Sequence, residues 1–376
     1  MKKPEISVVI TMYRENFLLV QAIESVLSQT FRDFEIVLVD NNCTSVTREV
    51  AERYVSRFPG QIRIVHEPVQ GVCSARNAGI SASAGTYIAT LDGDDMMRPT
   101  RLARQHGVLK CRQDLSMVFC GCDFLDDVSN RIKRWNVQSV GGVWREMEAL
   151  LQELFAGSPN RNRGEGFRLP ISMTTLFFRK ETALEAGLFD PRMNPRDGDD
   201  WEFACRMYMK GGFAIVPEAL AVYRMDSPQS AEYKKNPDNI RNLYLQGEKF
   251  FAILWENYSG TRKSRSILKK INAVHLRIAG RHFMSFRKGI PMGRRILFRA
   301  CLLSPANPSA WKLWIKSFFP VSLLPRLFWF DRPLSNESLP VGLDRQYALS
   351  VFPCPPRGPE AMVRMPEGGS RSFSTP

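Results

Sequence analysis

Acidic residues are missing from one long stretch of this 376-residue sequence. From Arg262 to Phe330 there is no Asp and no Glu, while Lys and Arg recur throughout. The whole chain carries a net charge of +14, so an anionic partner is expected: phosphates, nucleic acid or a membrane surface. No uninterrupted apolar run reaches the length of a membrane span. The eight cysteines show no regular spacing. Cys120-x-Cys122 is too tight for the usual zinc knuckle and has no His near it, so reduced, buried thiols in a cytosolic protein are expected. No solenoid repeat is present. Met1-Lys2-Lys3 opens like a signal peptide, but Arg14-Glu15 follows the apolar run Ile6 to Tyr13 without a small-residue cleavage site. That run is expected to be a first strand. Hydrophobic residues make up 44% of the chain, enough for a real core and too much for a disordered protein.

What is present begins with an alternation of strands and helices. Ile6 to Met12 is β-rich, and Phe17, Leu18, Ala22, Ile23, Val26 and Leu27 then recur at helical spacing. Phe34 to Val39 predicts a second strand, closed by Asp40-Asn41-Asn42. A helix from about Thr47 to Phe58 stops at Pro59-Gly60. Ile62 to His66 predicts a third strand and Gly71 to Ser83 a helix. Thr86 to Leu91 predicts a fourth strand. Alternation at this period implies parallel strands with right-handed crossovers, so ligand groups gather at the strand ends. Beyond, Pro99 to Arg112 predicts a helix, and Ser116 to Cys122 and Ser172 to Phe178 predict strands. Residues 126 to 169 are rich in Arg, Asn and Gly and carry no diagnostic pattern. Asp197-Gly198-Asp199-Asp200 precedes a helix that begins near Trp201 and ends at Gly211-Gly212. Phe213 to Tyr223 predicts a strand pair broken at Pro217.

The fourth strand runs straight into Asp92-Gly93-Asp94-Asp95. Three carboxylates in four positions repel one another, and a hard divalent cation would relieve them. The alternative is a polar turn whose Asp caps the helix near Pro99.

Taken together, these segments resemble glycosyltransferase family 2, the inverting transferases with a GT-A fold. The matching pieces occur in the family's order: Ser7-Val8-Val9-Ile10-Thr11-Met12-Tyr13, Ser25 through Phe31, Val39-Asp40-Asn41-Asn42, Ala75-Arg76-Asn77-Ala78-Gly79-Ile80 and Gly85 through Asp95. Pro99, Arg101-Leu102, Gly187-Leu188-Phe189-Asp190 and Asp199-Asp200-Trp201 complete the set, which covers roughly residues 5 to 225. The resemblance implies a mixed, mainly parallel α/β sheet flanked by helices. It implies a catalytic domain over 1–230; the composition shift after Ser230 predicts a basic helical region over 231–330, and the Pro, Gly and Ser from Asp331 on a tail over 331–376 expected to be disordered. Thr11, Tyr13, Asp40, Asn41, Arg76 and Asp92 would bind the nucleotide-sugar, with Tyr13 able to stack on the base. Many relatives carry Asp where Asn41 stands, which leaves base selectivity open. Asp94 and Asp92 would hold Mn²⁺ or Mg²⁺, and Asp200 would be the general base. Asp226 stands where many relatives have His, and would be a further metal ligand or a lost one.

The implied reaction is non-processive transfer from a nucleotide-diphospho-sugar, a UDP-sugar being the expected donor. The acceptor would be a saccharide or lipid-linked hydroxyl in cell-surface polysaccharide synthesis. The Gln-x-x-Arg-Trp motif of processive synthases is absent after Asp200. An anionic membrane surface is the expected partner of residues 262 to 330, where Trp311, Trp314, Phe318, Phe319 and Trp329 sit among Lys312, Lys316 and Arg326. The expected location is cytoplasmic, peripheral at the inner face of the membrane. No nucleic acid is expected. Two other readings compete. A nucleotidyltransferase acting on a sugar phosphate would need a Gly-rich phosphate loop after the first strand, and Met12 to Asn16 has no Gly. A non-catalytic basic membrane- or nucleic-acid-binding protein would leave Asp92 to Asp95 and Asp200 unexplained.

Overall fold

The computed structural model describes residues 3–126, 131–134, 142–144, 172–194, 198–225, 239–258, 262–284 and 289–318. All of them lie in one compact unit. The sheet is built from β1 (Ile6–Met12), β2 (Phe34–Asp40), β3 (Ile62–His66), β4 (Tyr87–Asp92), β5 (Met96–Met97), β6 (Leu115–Asp126), β7 (Arg131–Arg134), β8 (Gly142–Trp144), β9 (Phe177–Arg179) and β10 (Gly212–Met225). Its order is β3-β2-β1-β4-β9-β6-β10-β5, with β7 beside β6 and β8 beside β10. Most of the paired residues lie in parallel ladders, and β9 is the antiparallel strand that joins β4 to β6.

The helices of the first half are α1 (Leu18–Leu27), α2 (Ser45–Arg57), α3 (Val72–Ala82) and α4 (Arg101–Cys111). β1 shows how the sheet is sandwiched. Ile6, Val8, Ile10 and Met12 face one core with α1, α2 and α4, while Val9 faces the other with α3. That split follows from the two-residue period of a strand. Burying one such side chain contributes roughly 1.5–3 kcal/mol.

The chain runs β1, β2, β3 outward, then α3 carries it back to β4 on the other side of β1. The order therefore reverses at β1, and a ligand crevice opens there beyond the carboxyl ends of the strands. Register brings those ends level. Met12 lies opposite Asp40, Asp40 opposite His66, and Thr11 opposite Asp92.

The second half departs from the sequence reading in three places. Ser172 to Phe178 is not a continuous strand: Met173–Thr175 is a 3-10 turn and only Phe177–Arg179 pairs. Side chains compete with the ladder there, since Ser172 Oγ accepts from Thr174 N–H and Thr175 Oγ1 donates to the Ser172 carbonyl. A short helix α5 (Lys180–Glu185) follows directly. β10 is one strand, and Pro217 sits in an irregularity of its register, between Val216 and Ala219. Helix α6 (Asp199–Lys210) starts two residues before Trp201, so both acids belong to its first turn.

Four further helices are α7 (Asn239–Tyr258), α8 (Arg262–Phe283), α9 (Ile290–Leu303) and α10 (Pro308–Lys316). α7 is part of the main core. Phe250, Phe251, Ile253 and Leu254 are buried in the same cluster as Phe203 and Met207 of α6, and Leu268 of α8 joins them. Arg192 Nη2 also pairs with Glu256 at 2.8 Å. No helix among the described residues is long and apolar enough to cross a membrane. Residues 331–376 lie outside the described residues.

Candidate active site

The acid turn after β4 divides its carboxylates between two tasks. Asp95 is buried and holds the turn in place. It accepts from Arg224 N–H at 2.8 Å and from the Thr174 hydroxyl. Arg224 grips the same turn by donating to the Asp94 carbonyl at 2.9 Å and to Gln21 Oε1 at 2.6 Å. Burial, with the charges of Asp94 and Asp92 adding to it, pushes the Asp95 carboxyl well above the usual carboxylate range. Asp92 and Asp94 are half-buried, at the carboxyl end of β4. Gly93 allows this close approach: a Cβ there would lie 2.8 Å from the Thr11 carbonyl oxygen and 2.9 Å from Glu15 Cγ.

Arg76 on α3 links this turn to the second acid pair. Its guanidinium is buried, donates to Asp92 Oδ1 at 3.0 Å and pairs with Asp199 Oδ2. The Phe189 ring lies 5.5 Å beneath it. Burial would lower its pKa, but Asp199 and Asp92 more than offset that and keep it fully charged. Asp200 stands next to Asp199 in the first turn of α6, after Gly198 in a left-handed conformation (φ 85°). Asp200 Oδ1 accepts from Trp201 N–H at 2.8 Å. Burial, then the Asp199 charge, push the Asp200 carboxyl up to about 8, with Arg76 opposing. A carboxylate with that value takes a proton readily near neutral pH.

The other candidates ring the ends of β1 and β2. Thr11 is half-buried between Val39 and Asp92. Tyr13 follows β1, half-exposed, with the Arg14 guanidinium 4.8 Å over its ring. Asp40 is buried; it accepts from Cys43 N–H at 2.9 Å and pairs with Arg48 at 2.6 Å. Burial would raise it, but the Cys43 hydrogen bonds together with Arg48 and His66 hold it below the usual range. Asn41 is fully engaged. Its Nδ2 donates to the carbonyls of Glu67 and Val69, each at 2.8 Å, and its Oδ1 accepts from Gly71 N–H at 2.9 Å. This amide fastens the β3–α3 loop onto the end of β2. Asp226 lies outside the described residues.

The sequence reading gave no role to Glu15 or to Arg224. Glu15 is buried beside Gly93 and accepts from Tyr13 N–H at 2.5 Å. Burial pushes its carboxyl up to about 7, with the Asp94 charge adding to the effect. An acid two residues beyond the Thr11-Met12-Tyr13 strand end was the available signal. For Arg224 the signal was its place in Tyr223-Arg224-Met225-Asp226, where many relatives read Tyr-Arg-x-His, but its partners lie far away in sequence.

The donor set fits a hard cation shared with a phosphate group. Asp92 and Asp94 supply carboxylate oxygens in a patch where Glu15 and Asp95 already feel excess negative charge. Among the described residues no group of three or more His, Cys, Asp or Glu is placed to hold an ion alone. Mg²⁺-type sites commonly use one or two carboxylates and complete their shell from substrate phosphates and water.

Residues 7–182 match glycosyl transferase family 2. They are a family 2 glycosyltransferase domain. The chain is 34% identical over 128 residues to the uncharacterized glycosyltransferase EpsJ of Bacillus subtilis, a match covering 34% of this chain and 36% of that protein. The chain spans less than half the length of curated relatives such as this one. Its fold is similar to that of S. aureus TarS 1–349 in complex with UDP-GlcNAc, with TM-score 0.57, 12% identity and 86% of each chain covered. It is also similar to the mannosyltransferase PcManGT of Pyrobaculum calidifontis in complex with GDP-Man and Mn²⁺. There the TM-score is 0.51 at 18% identity, covering 82% of this chain and 78% of that one. At such identities the likeness speaks for the GT-A fold. Within this domain the strand order reverses at β1 beside the acid turn, and Arg76 ties that turn to Asp199, beyond the matched residues.

Proposed function

We propose that this chain transfers one sugar, with inversion, from a nucleotide-diphospho-sugar to a hydroxyl of a saccharide or lipid-linked acceptor. The observation that carries this reading is the buried Arg76, which pairs with both Asp92 and Asp199 and so brings the acid turn and the Asp199-Asp200 pair together. Tyr13 and Thr11 at the end of β1 border the space for the nucleotide. Asp92 and Asp94 would hold Mn²⁺ or Mg²⁺, which when bound offsets charge on the diphosphate leaving group. The Mn²⁺ and GDP-Man in PcManGT, and the UDP-GlcNAc in TarS, favour a donor of this chemical class. Asp200 takes the acceptor hydroxyl proton as that oxygen bonds to the anomeric carbon and the carbon–phosphate-oxygen bond breaks. In this reading the protein works in cell-surface polysaccharide synthesis at the cytoplasmic face of a membrane, and the basic helices after residue 230 supply the membrane side.

A panel of UDP- and GDP-sugars, incubated with Mn²⁺ or Mg²⁺, tests it. The expected result is metal-dependent release of nucleoside diphosphate, with a β-linked product from an α-linked donor by NMR. Retention of configuration overturns the single displacement. Release of pyrophosphate from a sugar phosphate and a nucleoside triphosphate would instead establish a nucleotidyltransferase.

A further inference from the structure

The helices after residue 238 do not share one surface character. On α7 and α8, Phe250, Leu254, Leu268, Leu276 and Phe283 are buried inside the protein. α9 and α10 are different. On α9, Ile296, Leu297, Ala300 and Cys301 are buried, which anchors the helix. Its other face carries Phe298 at 39% exposure and Leu302 at 61%. On α10, Ala310 is the buried anchor; Ile315 and, in the turn just after the helix, Phe318 are each 56% exposed.

These exposed side chains form one edge. Phe298 packs on Trp314 at 5.2 Å between ring centroids. Trp314 meets Trp311 at 5.9 Å and Phe318 at 5.1 Å. A groove of about 570 Å³ runs beside it, lined by Pro305, Pro308, Trp311, Lys312, Ile315 and Lys316. Helical spacing puts Arg295, Phe298 and Leu302 on one stripe, and Trp311, Ile315 and Phe318 on another. Arg295 and Lys312 are exposed. The Arg294 guanidinium covers the Phe318 ring at 4.7 Å and donates to the Ser317 carbonyl, which holds the two helices together. No acidic residue occurs between Arg262 and Phe330 to neutralise this edge.

We propose that the α9–α10 edge docks on an anionic lipid bilayer, with Phe298, Leu302, Ile315 and Phe318 entering the interface and Arg295 and Lys312 meeting headgroups. The combination decides for lipid. Trp and Phe favour the boundary between water and acyl chains, and cations beside them gain from anionic headgroups. Scattered exposed apolar residues need no explanation, but a contiguous aromatic edge rimmed by cations does. The docking surface rests on the membrane placement proposed above and not on the transfer chemistry. Among the described residues it places the sequence expectation for 262 to 330 on this edge, because Leu268, Leu276 and Phe283 of α8 are buried.

Vesicle flotation tests it with the full chain and no donor present. Wild type should float with phosphatidylglycerol-containing vesicles, not with pure phosphatidylcholine, and added salt should weaken the partition. Arg295→Gln with Lys312→Gln should lower the partition about 25-fold, roughly fivefold per cation. Phe298→Ser, Leu302→Ser, Ile315→Ser and Phe318→Ser together should abolish it. Because Phe298 and Phe318 also pack on Trp314, Leu302→Ser with Ile315→Ser alone, which leaves those contacts in place, should lower the partition several-fold, and unchanged donor hydrolysis would verify the fold of each variant. No flotation of wild type at low salt overturns the proposal. So does flotation of the four-serine variant at wild-type level, or a partition indifferent to lipid charge. A wild-type dimer that the four-serine variant dissolves, without loss of vesicle binding, assigns the edge to a second copy and also overturns it.

Discussion

If Asp200 is the base, the rate must follow its ionisation. With a value of about 8, only about one carboxyl in ten is ionised at pH 7 and about one in a hundred at pH 6. kcat/KM reports the free enzyme, so it should climb about tenfold per pH unit and flatten above about pH 8. The causes of the shift give the test internal controls. Asp199 raises the value, so Asp199→Asn should move the limb to lower pH. Arg76 lowers it, so Arg76→Met should move the limb to higher pH. Asp200→Asn should lose the limb altogether and cost roughly two to four orders of magnitude in kcat, with donor binding retained. The assay is nucleoside diphosphate release across buffers from about pH 5.5 to 9.5, with metal held constant. A flat profile in wild type, or an unchanged limb in Asp200→Asn, would refute the assignment.

Asp94→Asn should abolish transfer and weaken nucleoside diphosphate binding in Mn²⁺, with little change under a chelator. Calorimetry showing equal affinity in saturating metal would remove Asp94 from the metal site. Glu15 has its pKa raised in the folded state, so the native protein binds the extra proton and stability falls as pH rises from the ordinary glutamate value through about 7. Glu15→Gln should therefore raise the melting temperature at pH 8 and change it little near pH 4; equal effects at both would refute the linkage. Asn41→Asp would replace two donors with acceptors facing the Glu67 and Val69 carbonyls. It should cost about 2–4 kcal/mol in denaturant unfolding, and a neutral effect would show that the β3–α3 loop does not depend on this amide.

The first half of the fold was legible because local signals agree there. β1 to β4 combine apolar strands with helices of matching period, and their parallel register carries Met12, Asp40, His66 and Asp92 to one level. Candidate acids could be named because they sit at strand ends. What those residues bind within the protein was not legible. Arg76 looked like a surface or phosphate-facing arginine; its partners Asp92 and Asp199 lie 16 and 123 positions away. Asn41 looked like a base reader, and its amide serves a loop 26 to 30 positions on. Arg224 reaches back 130 positions to the acid turn. Pairings of that range leave no periodicity in the sequence. The segment around Thr174 misled for the opposite reason. Its strand-like composition is real, but hydroxyl groups bonding their own backbone and Asp95 outweigh it.

One helix sets the spacing between the two halves of the crevice. On its sheet side α3 lies so close that a Cβ at Gly79 would stand 2.4 Å from Val9 Cγ1 and 2.8 Å from Val39 Cγ2. On its other side it holds the segment that leads to Asp199 and Asp200 at three points. Asn77 and Phe189 exchange two hydrogen bonds of 2.8 Å, amide to backbone in both directions. Asn194 Oδ1 accepts from Cys73 N–H at 3.0 Å in the first turn of the helix. Arg76 then closes the pair with Asp199 while still holding Asp92. Asp92 and Asp199 would repel across the crevice without a cation between them. A displacement in line needs its base and its leaving group at a fixed separation, and small misplacements are costly. If Asp200 is the base and Asp92 faces the donor, α3 sets that separation: glycine contact fixes the helix to β1 and β2, and its polar face holds Asp199. The two sides are then coupled through the helix, and Asn77→Ala, which touches neither, should lower kcat with donor binding retained; an unchanged kcat would refute the coupling.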